Sequence, residues 1–189
     1  MSELKKMING EWCNATDSEL LELRGKARAL VKEYNNLPLN DLKSHIKVLK
    51  QLFKKSDSKT FIEPPFRCDY GFNVSIGKRF YANYNLVLLD SAEIIIGDNV
   101  MIAPNVSIYT VNHPLHYLDR NKYLEKAKPV KIEDNVWIGG NVVILGGVTI
   151  GKNSVIGAGS IVTKSIPSNS LAFGNPCKVV RKITSKDKI

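Results

Sequence analysis

Aliphatic residues return at every sixth position through the second half of the chain, at Ile132, Ile138, Ile144, Ile150, Ile156 and Val162. A second small or aliphatic residue follows four positions after each of these, at Val136, Val142, Val148, Ser154, Ser160 and Ile166. A period of six fits neither the helical repeat of about 3.6 residues nor the two-residue alternation of a strand. We interpret each hexad as one side of a triangular coil, so that three hexads make one turn.

The hexad register already begins at Ile96, and it predicts what lies inside the coil and at its corners. Stacked aliphatic side chains would form an apolar column that no single repeat can bury alone. Asparagines recur at one phase of the repeat, typical of corners that need room or a positive φ: Asn99, Asn105, Asn135, Asn141 and Asn153. The register is interrupted between Asn112 and Pro129, which predicts a loop near residues 112–129 that protrudes from the coil.

Residues 1–60 have a helical pattern instead of the hexad pattern. A capping-box sequence at Thr16–Glu19 precedes apolar residues that share one helical face, namely Leu20, Leu23, Ala27, Leu30 and Tyr34. A second amphipathic helix is predicted from about Asp41 to Lys55. Solenoid ends require capping, so we expect these two helices to cover an open end or a flank of the coil.

The pattern changes at Phe61, which divides the chain into an N-terminal helical segment, 1–60, and a coil domain with a C-terminal tail, 61–189. Pro64 and Pro65 favour an extended approach to the coil, whose first repeat is expected near Val74.

Three hexads have sequences that resemble a known family: Ile96–Val100 reads Ile-Gly-Asp-Asn-Val, Ile138–Val142 reads Ile-Gly-Gly-Asn-Val, and Ile156–Ser160 reads Ile-Gly-Ala-Gly-Ser. They are similar to the hexapeptide-repeat acyltransferases. The resemblance implies a mostly β fold, a left-handed parallel β-helix, with the helical N-terminal segment typical of its sugar O-acetyltransferase branch. Left-handedness is implied by the resemblance alone, because connections between parallel strands are usually right-handed.

Composition and charge narrow the possible partners. The chain has 189 residues, 43% of them hydrophobic, which suffices for a sizeable core. Its net charge of +9 favours anionic ligands, such as a phosphorylated small molecule. The basic residues gather in the helical segment and the tail and form no continuous stripe, so we expect no nucleic-acid or membrane partner.

The cysteines indicate the compartment. Cys13, Cys68 and Cys177 are odd in number, far apart and without a paired spacing, which favours reduced thiols over disulfides or a zinc site. The first residues lack an apolar segment of the signal-peptide type. We therefore expect a cytoplasmic protein.

The protruding loop contains Asn112-His113-Pro114-Leu115-His116, and thus two of the three histidines in the chain. A long loop on a rigid scaffold is a frequent place for function. Pro114 restricts the backbone next to His113, and an imidazole near neutrality can remove a proton from a sugar hydroxyl as that oxygen attacks a thioester. His113 is therefore our candidate general base.

The stretch Asn112–His116 resembles the catalytic stretch of the maltose and galactoside O-acetyltransferases, in which the histidine before proline is the base. The resemblance implies acceptor-sugar contacts at Asp69 and Asn83, and a weaker role for Glu125 in orienting His113. Asp69 stands where the galactoside branch has a serine, and Ser91 where that branch has a second acid. Both departures favour the maltose branch.

The same resemblance implies acetyl-CoA as the co-substrate, lying along the coil between neighbouring subunits of a homotrimer. Backbone at Gly140 and Ala158 would contact the thioester and the pantetheine arm. The phosphates would meet the region of Thr163 and Lys164, together with the basic Lys178 and Arg181. From the residues alone, Gly140 and Ala158 could equally be small residues that fit corners, and the cations could be a solvated tail.

Three alternatives remain at this point. The acceptor could be an antibiotic or a nucleotide sugar with another hydroxyl or an amino group. The coil could also be a non-catalytic binding protein. His113 and His116 could form half of a zinc site, but the only other histidine is His45 in the helical segment, so we expect no metal.

Overall fold

The computed structural model describes residues 1–189 and confirms a mostly β, parallel β-helix. Short strands from successive coils pair in parallel and build three faces of a prism. The first face contains β2 (Phe61–Ile62), β5 (Tyr81–Ala82), β8 (Met101–Ile102), β13 (Trp137–Ile138), β16 (Val155–Ile156) and β18 (Ser170–Phe173). The second contains β3 (Arg67–Cys68), β6 (Val87–Leu89), β9 (Ser107–Tyr109), β14 (Val143–Leu145) and β17 (Ile161–Val162). The third contains β4 (Val74–Ile76), β7 (Ile94–Ile96), β12 (Val130–Ile132) and β15 (Thr149–Ile150).

Three corners connect these faces, and we number them in chain order. The first corner links the first face to the second, as in residues 83–86 and 139–142. The second corner links the second face to the third, as in residues 69–73 and 90–93. The third corner links the third face back to the first, as in residues 97–100. Five coils begin at Phe61, Tyr81, Met101, Trp137 and Val155.

The hexad prediction is confirmed in the core. Each predicted inward aliphatic residue from Ile132 to Val162 is fully buried, and all six partners that follow them are buried as well. The predicted corner asparagines all have a positive φ, between 56° and 61°. Their side chains also stack, since the Nδ2 of Asn99 donates to Asn135 and that of Asn135 donates to Asn153, both at 2.9 Å.

The coil starts two strands earlier than predicted. β2 pairs with β5, and β3 pairs with β6, so Phe61 already belongs to the first coil and the expected start near Val74 was wrong. The hexad pattern is difficult to recognise in the first coil, because Pro64 and Pro65 occupy its first corner and its strands lie next to the helical segment.

The N-terminal segment has three helices where the pattern predicted two: α1 (Glu3–Ile8), α2 (Ser18–Asn36) and α3 (Leu42–Leu52). α3 is shorter than the expected Asp41–Lys55. Asp17 caps α2 by accepting a hydrogen bond from the N–H of Glu19 at 3.1 Å. A helix as short as α1 has too little periodicity to be recognised from its sequence.

Helices α2 and α3 close the N-terminal end of the coil, as predicted. Their buried residues, among them Ala27, Tyr34 and Leu49, belong to the same continuous core as the hexad residues. The Tyr34 hydroxyl donates to the carbonyl of Ile62 at 2.8 Å and accepts from its N–H at 3.2 Å. This pair of hydrogen bonds satisfies the backbone of the first strand, which has no coil below it.

The protruding loop is ordered by strand pairing. β10 (Val111–Asn112) and β11 (Leu124–Ala127) form an antiparallel hairpin, with the short helix α4 (Tyr117–Arg120) at its tip. β1 (Cys13–Asn14) pairs with the other edge of β11 and completes a three-stranded sheet. The N-terminal residues therefore hold the loop at the second corner.

The far end of the coil is closed by the tail. β19 (Lys178–Lys182) folds back antiparallel on β18 after the predicted turn at Phe173–Pro176. A 3₁₀ turn at Ser185–Asp187 follows it. None of the helices combines the length and apolar character needed to span a lipid bilayer.

Asp90 joins the first two coils at the second corner. Its Oδ1 accepts the N–H groups of Asp69 at 3.1 Å and Tyr70 at 2.9 Å, while Oδ2 has no hydrogen-bond partner. The side chain is fully buried. Burial, with a smaller contribution from the Asp69 charge, raises the pKa of Asp90 to about 6.

We expect Asp90→Asn to remove the destabilisation that ionised Asp90 causes above about pH 6. The folded protein binds the Asp90 proton more tightly than the unfolded chain, so the contribution of Asp90 to wild-type stability falls as pH rises from about 4 to about 6. A shift of this size corresponds to about 3 kcal/mol, so above pH 6 the variant should be more stable by up to that amount. Asparagine keeps the acceptor oxygen for Asp69 and Tyr70. Urea unfolding midpoints between pH 4 and 8 measure the difference.

Asp98→Asn serves as the matched control, because Asp98 also accepts a backbone N–H, from Lys78 at 2.7 Å, at a partly exposed corner. Wild-type and Asp90→Asn stability curves that run parallel across this pH range would contradict the prediction.

Candidate active site

The hairpin fixes the orientation of the His113 ring. The Nδ1 atom of this exposed histidine lies 2.9 Å from the carbonyl oxygen of Leu124 on β11. A carbonyl only accepts hydrogen bonds, so Nδ1 must carry the proton. In the neutral ring, Nε2 then has the free lone pair and can act as the base.

Glu125 lies beside this site but does not form the hydrogen bond expected from it. Its carboxylate accepts a hydrogen bond from the Ser91 hydroxyl at 3.3 Å, and the neighbouring Leu124 carbonyl orients the imidazole instead. Burial raises the pKa of Glu125, and the nearby charges of Arg24 and His113 oppose that effect. An ionised Glu125 would stabilise His113 once it has taken up a proton.

Asp69 approaches the same site from the first coil. Its side chain is about one-fifth exposed, 21%, and lies 3.9 Å from the guanidinium of Arg28. Burial raises the pKa of Asp69, while Arg24 and Arg28 lower it. Asp69, Glu125 and His113 thus gather at the second corner of one chain.

The N-terminal strand is a part of the site that sequence reasoning missed. Asn14 pairs with Leu124 and Cys13 with Glu125, while the N–H of Ala15 donates to the Tyr123 carbonyl at 3.0 Å. Two strand residues are too few to give a periodic signal. Their pairing partner is more than a hundred positions away, so no local pattern could have revealed it.

Arg24 was missed as well. It lies on α2, over the ring of Tyr70 at 5.7 Å from the centroid, and its guanidinium donates to the Ala15 carbonyl. Its charge lowers the pKa of both Asp69 and Glu125. In the sequence, Arg24 is one of many basic residues on a helix, so nothing distinguished it from a solvated side chain.

Asn83, Gly140 and Ala158 do not join this group. They lie at the first corner, in the second, fourth and fifth coils. The Asn83 carboxamide oxygen accepts the N–H of Tyr84 at 2.8 Å. A single chain therefore keeps Asn83 apart from His113, which lies at the next corner of the prism.

The backbone at Gly140 and Ala158 is available to a ligand. Both residues are at least partly exposed, and neither N–H donates a hydrogen bond within the chain. A Cβ atom added at Gly140 would lie 3.3 Å from the carbonyl oxygen of Pro104, so a side chain there would be crowded. Two free N–H groups one coil apart form a small polar ladder at the first corner.

The four residues expected at the phosphates are all exposed and divide between two places. Thr163 and Lys164 follow β17 at the second corner, whereas Lys178 pairs with Phe173 and Arg181 with Leu171 at the end of the first face. Arg181 is already engaged, because its guanidinium binds both carboxylate oxygens of Asp187 at 2.7 and 3.0 Å. A phosphate at Arg181 would have to compete with that carboxylate.

The candidate residues follow one order along the prism axis, at about 4.8 Å per coil. Asp69 is in the first coil, Asn83 in the second, His113 leaves the third, and Gly140 and Ala158 are in the fourth and fifth. The cations lie at or beyond the fifth coil. Along the coil axis, groups suited to binding a polyol are thus followed by the candidate base, then by groups suited to binding an extended chain, and finally by groups suited to binding phosphates.

The other histidines do not extend the site. His116 stacks on Tyr117 at 5.0 Å, and His45 is buried against Tyr34 at 4.6 Å. No three His, Cys, Asp or Glu side chains converge as metal ligands would.

Two family models match the chain. The model described as "Bacterial transferase hexapeptide (six repeats)" covers residues 129–164, which is the uninterrupted part of the coil. The model described as "Maltose acetyltransferase hexapeptide capping motif" covers residues 6–57, which includes α2 and α3.

Similar proteins share the whole architecture. The galactoside O-acetyltransferase of Escherichia coli is 45% identical over 89% of this chain and 83% of its own. The crystal structure of a maltose O-acetyltransferase from Clostridium difficile is 47% identical, with a TM-score of 0.95 over 98% of this chain and 99% of that one. A galactoside acetyltransferase in complex with coenzyme A is 40% identical, with a TM-score of 0.94 over 100% of this chain and 94% of that one.

The coil, its helical cap and the loop histidine thus occur together in a chain that matches these enzymes over most of its length. The chain belongs to the maltose and galactoside O-acetyltransferases, a family of hexapeptide-repeat enzymes.

Proposed function

We propose that this enzyme transfers the acetyl group of acetyl-CoA to a hydroxyl of a sugar of the maltose, glucose or galactoside type, with His113 as the general base. The observation that carries this proposal is the hydrogen bond from His113 Nδ1 to the Leu124 carbonyl, which leaves Nε2 as the basic nitrogen. The complex of the related galactoside acetyltransferase with coenzyme A supports the choice of donor.

In the proposed reaction, Nε2 of His113 removes the proton of a sugar hydroxyl while that oxygen attacks the thioester carbonyl. The carbon–oxygen bond of the ester forms, the carbon–sulfur bond breaks, and the proton passes from His113 to the departing thiolate of CoA. The Leu124 carbonyl holds the ring, and the nearby Glu125 stabilises its protonated form. The transfer is direct and needs no acetylated enzyme.

The first corner supplies the part of the donor site nearest the thioester. The free N–H of Gly140 is suited to the oxyanion that develops on the thioester carbonyl, and that of Ala158 to an amide carbonyl of the pantetheine arm. Thr163, Lys164, Lys178 and Arg181 would meet the phosphates. Asp69 and Asn83 would bind acceptor hydroxyls through their oxygen and amide groups.

The division of these residues between two corners favours a homotrimer. His113 and Asp69 lie at the second corner, whereas Gly140 and Asn83 lie at the first. A complete site then requires the second corner of one chain to face the first corner of a neighbour, and threefold symmetry gives three such sites.

The first face offers a surface for this assembly. Tyr81, Met101 and Trp137 are in register on neighbouring strands, with 37%, 54% and 48% of their surfaces exposed. An outward column of large apolar side chains is typical of an interface between subunits.

We assign the enzyme to the maltose branch of the family. A maltose acetyltransferase capping motif covers the N-terminal segment, and Asp69 is present at the acceptor end of the coil. We place the reaction in the cytoplasm, because all three cysteines are free thiols buried in the fold.

His113→Ala should lower kcat by about 10²- to 10⁴-fold, because it removes the general base. His116→Ala is the matched control in the same loop and should retain kcat within about twofold. Thiol release from acetyl-CoA, measured with maltose, glucosides and galactosides, gives both values. Unchanged turnover in the His113→Ala enzyme would exclude the mechanism.

Ala15→Pro should lower kcat about tenfold, because it removes the N–H that pairs with Tyr123 and loosens the strand that presents Leu124 to His113. The KM for acetyl-CoA should change less than twofold, since the first corner is untouched. Ala15→Ser keeps the N–H and should behave as wild type.

Circular dichroism spectra would establish that both Ala15 variants fold. A proline variant with wild-type kcat would show that β1 plays no part in positioning His113.

Complementation tests the shared site. His113→Ala lies at the second corner and Ala158→Trp at the first, so each variant alone should be inactive. Coexpressed in equal amounts, they should recover about a quarter of wild-type activity, because about one interface in four then pairs two intact corners. Coexpression of His113→Ala with His113→Asn should recover none. A site contained in one chain would give no recovery in either mixture.

A further inference from the structure

A cavity of about 670 Å³ lies between helix α2 and the second face of the coil. Its wall on α2 includes Arg28 and Lys32, and its floor includes Arg67 and Asp69 of the first coil and Leu89 of the second. We call it the basic cavity, because three cations and one carboxylate line it.

The basic cavity adjoins the acceptor end of the proposed site. Asp69 belongs to both. Leu89 pairs with Tyr109, which precedes the base His113 by only four residues in the chain. A sugar that binds Asp69 through one hydroxyl is thus in contact with the edge of this cavity.

Two of the three cations of the basic cavity have no ion-pair partner in the chain. Asp69 is the sole carboxylate in its lining, and it pairs with Arg28 at 3.9 Å. Lys32 and Arg67 form no ion pair, in contrast to Lys26 on the same helix, which pairs with Glu22 at 2.7 Å. Two unpaired cations thus remain on opposite walls of one cavity.

The asparagine side chains of the lining already form hydrogen bonds within the chain. The Asn35 carboxamide donates to the Phe66 carbonyl at 2.9 Å and accepts from the Phe66 N–H at 3.0 Å. The Asn36 carboxamide donates to the Lys32 carbonyl at 2.8 Å. The groups left to bind a ligand are therefore mainly the cationic ones.

These cations are too far along the axis to serve the phosphates of CoA. Arg67 is in the first coil, whereas Ala158 and Lys164 are in the fifth. Four coils correspond to about 19 Å. The phosphates of a CoA molecule bound at the far end of the coil would accordingly lie well away from the basic cavity.

We propose that the acceptor is an anionic sugar, in which a phosphate or carboxylate remote from the acetylated hydroxyl binds Lys32 and Arg67 in the basic cavity. This inference rests on the proposed acetyl transfer to sugars and specifies the class of acceptor. Guanidinium and ammonium groups are the natural partners of both anions.

The test compares matched neutral and anionic acceptors that keep the same primary hydroxyl: maltose with maltobionate, and methyl α-glucoside with α-glucose 1-phosphate. The anionic member of at least one pair should have a kcat/KM about tenfold higher at low ionic strength. The advantage should shrink as salt rises, because exposed cations are screened. The two pairs distinguish a carboxylate from a phosphate.

Reversing the charge of Lys32 or Arg67 tests whether the preference for anionic acceptors depends on the basic cavity. Lys32→Glu and Arg67→Glu should each remove most of the advantage through KM, while kcat/KM for the neutral acceptors and KM for acetyl-CoA stay within about twofold. Lys47→Glu changes charge equally on the exposed side of α3 and should leave the preference intact.

Equal turnover of neutral and anionic acceptors, or a preference that survives both reversals, would overturn the anionic acceptor but leave sugar acetylation standing. Turnover of none of the four sugars would overturn both.

Discussion

One aliphatic side chain per hexad stacks inside the coil, and the helices, the loop and the candidate site are all arranged around this buried column. A residue such as Ile138 has no water contact because Ile102 lies on one side of it and Ile156 on the other. The hydrogen bonds between parallel strands fix the spacing of the coils, and the buried stack fixes which side chains point outward. Functional groups many residues apart, such as those near Asn83 and Ala158, therefore fall in line along one corner.

The side chains of a regular prism lie close to its surface, so none of them projects far enough to act as a base on a ligand beside the coil. The hairpin at the second corner projects from the coil and carries such a group. It leaves the third coil, receives a third strand from the N-terminus and holds His113 by one hydrogen bond from Nδ1. The helical segment thus has two roles: α2 and α3 close the coil, while β1 secures the loop.

The electrostatics of the second corner combine opposing effects within a short distance. Burial raises the pKa of Asp69, Asp90 and Glu125, and Arg24 opposes it at Asp69 and Glu125. Asp90 has no cation beside it and is held instead by two backbone N–H groups. At this corner, burial favours the neutral form of Asp90, whereas the positive charge of Arg24 favours the ionised forms of Asp69 and Glu125. The remaining positive charge, at Lys32 and Arg67, faces the open cavity.

The coil, its inward residues, its corner asparagines and the position of the loop that carries His113 could all be predicted from the sequence. These features are local or periodic, and each repeat carries its own copy of the signal. Four features became visible only in the folded chain: β1 pairs with the hairpin, Leu124 and not Glu125 holds His113, Arg181 binds Asp187, and Asn83 lies one corner away from His113. Each of these depends on where distant segments meet, and a six-residue repeat specifies the direction of a side chain without specifying its partner.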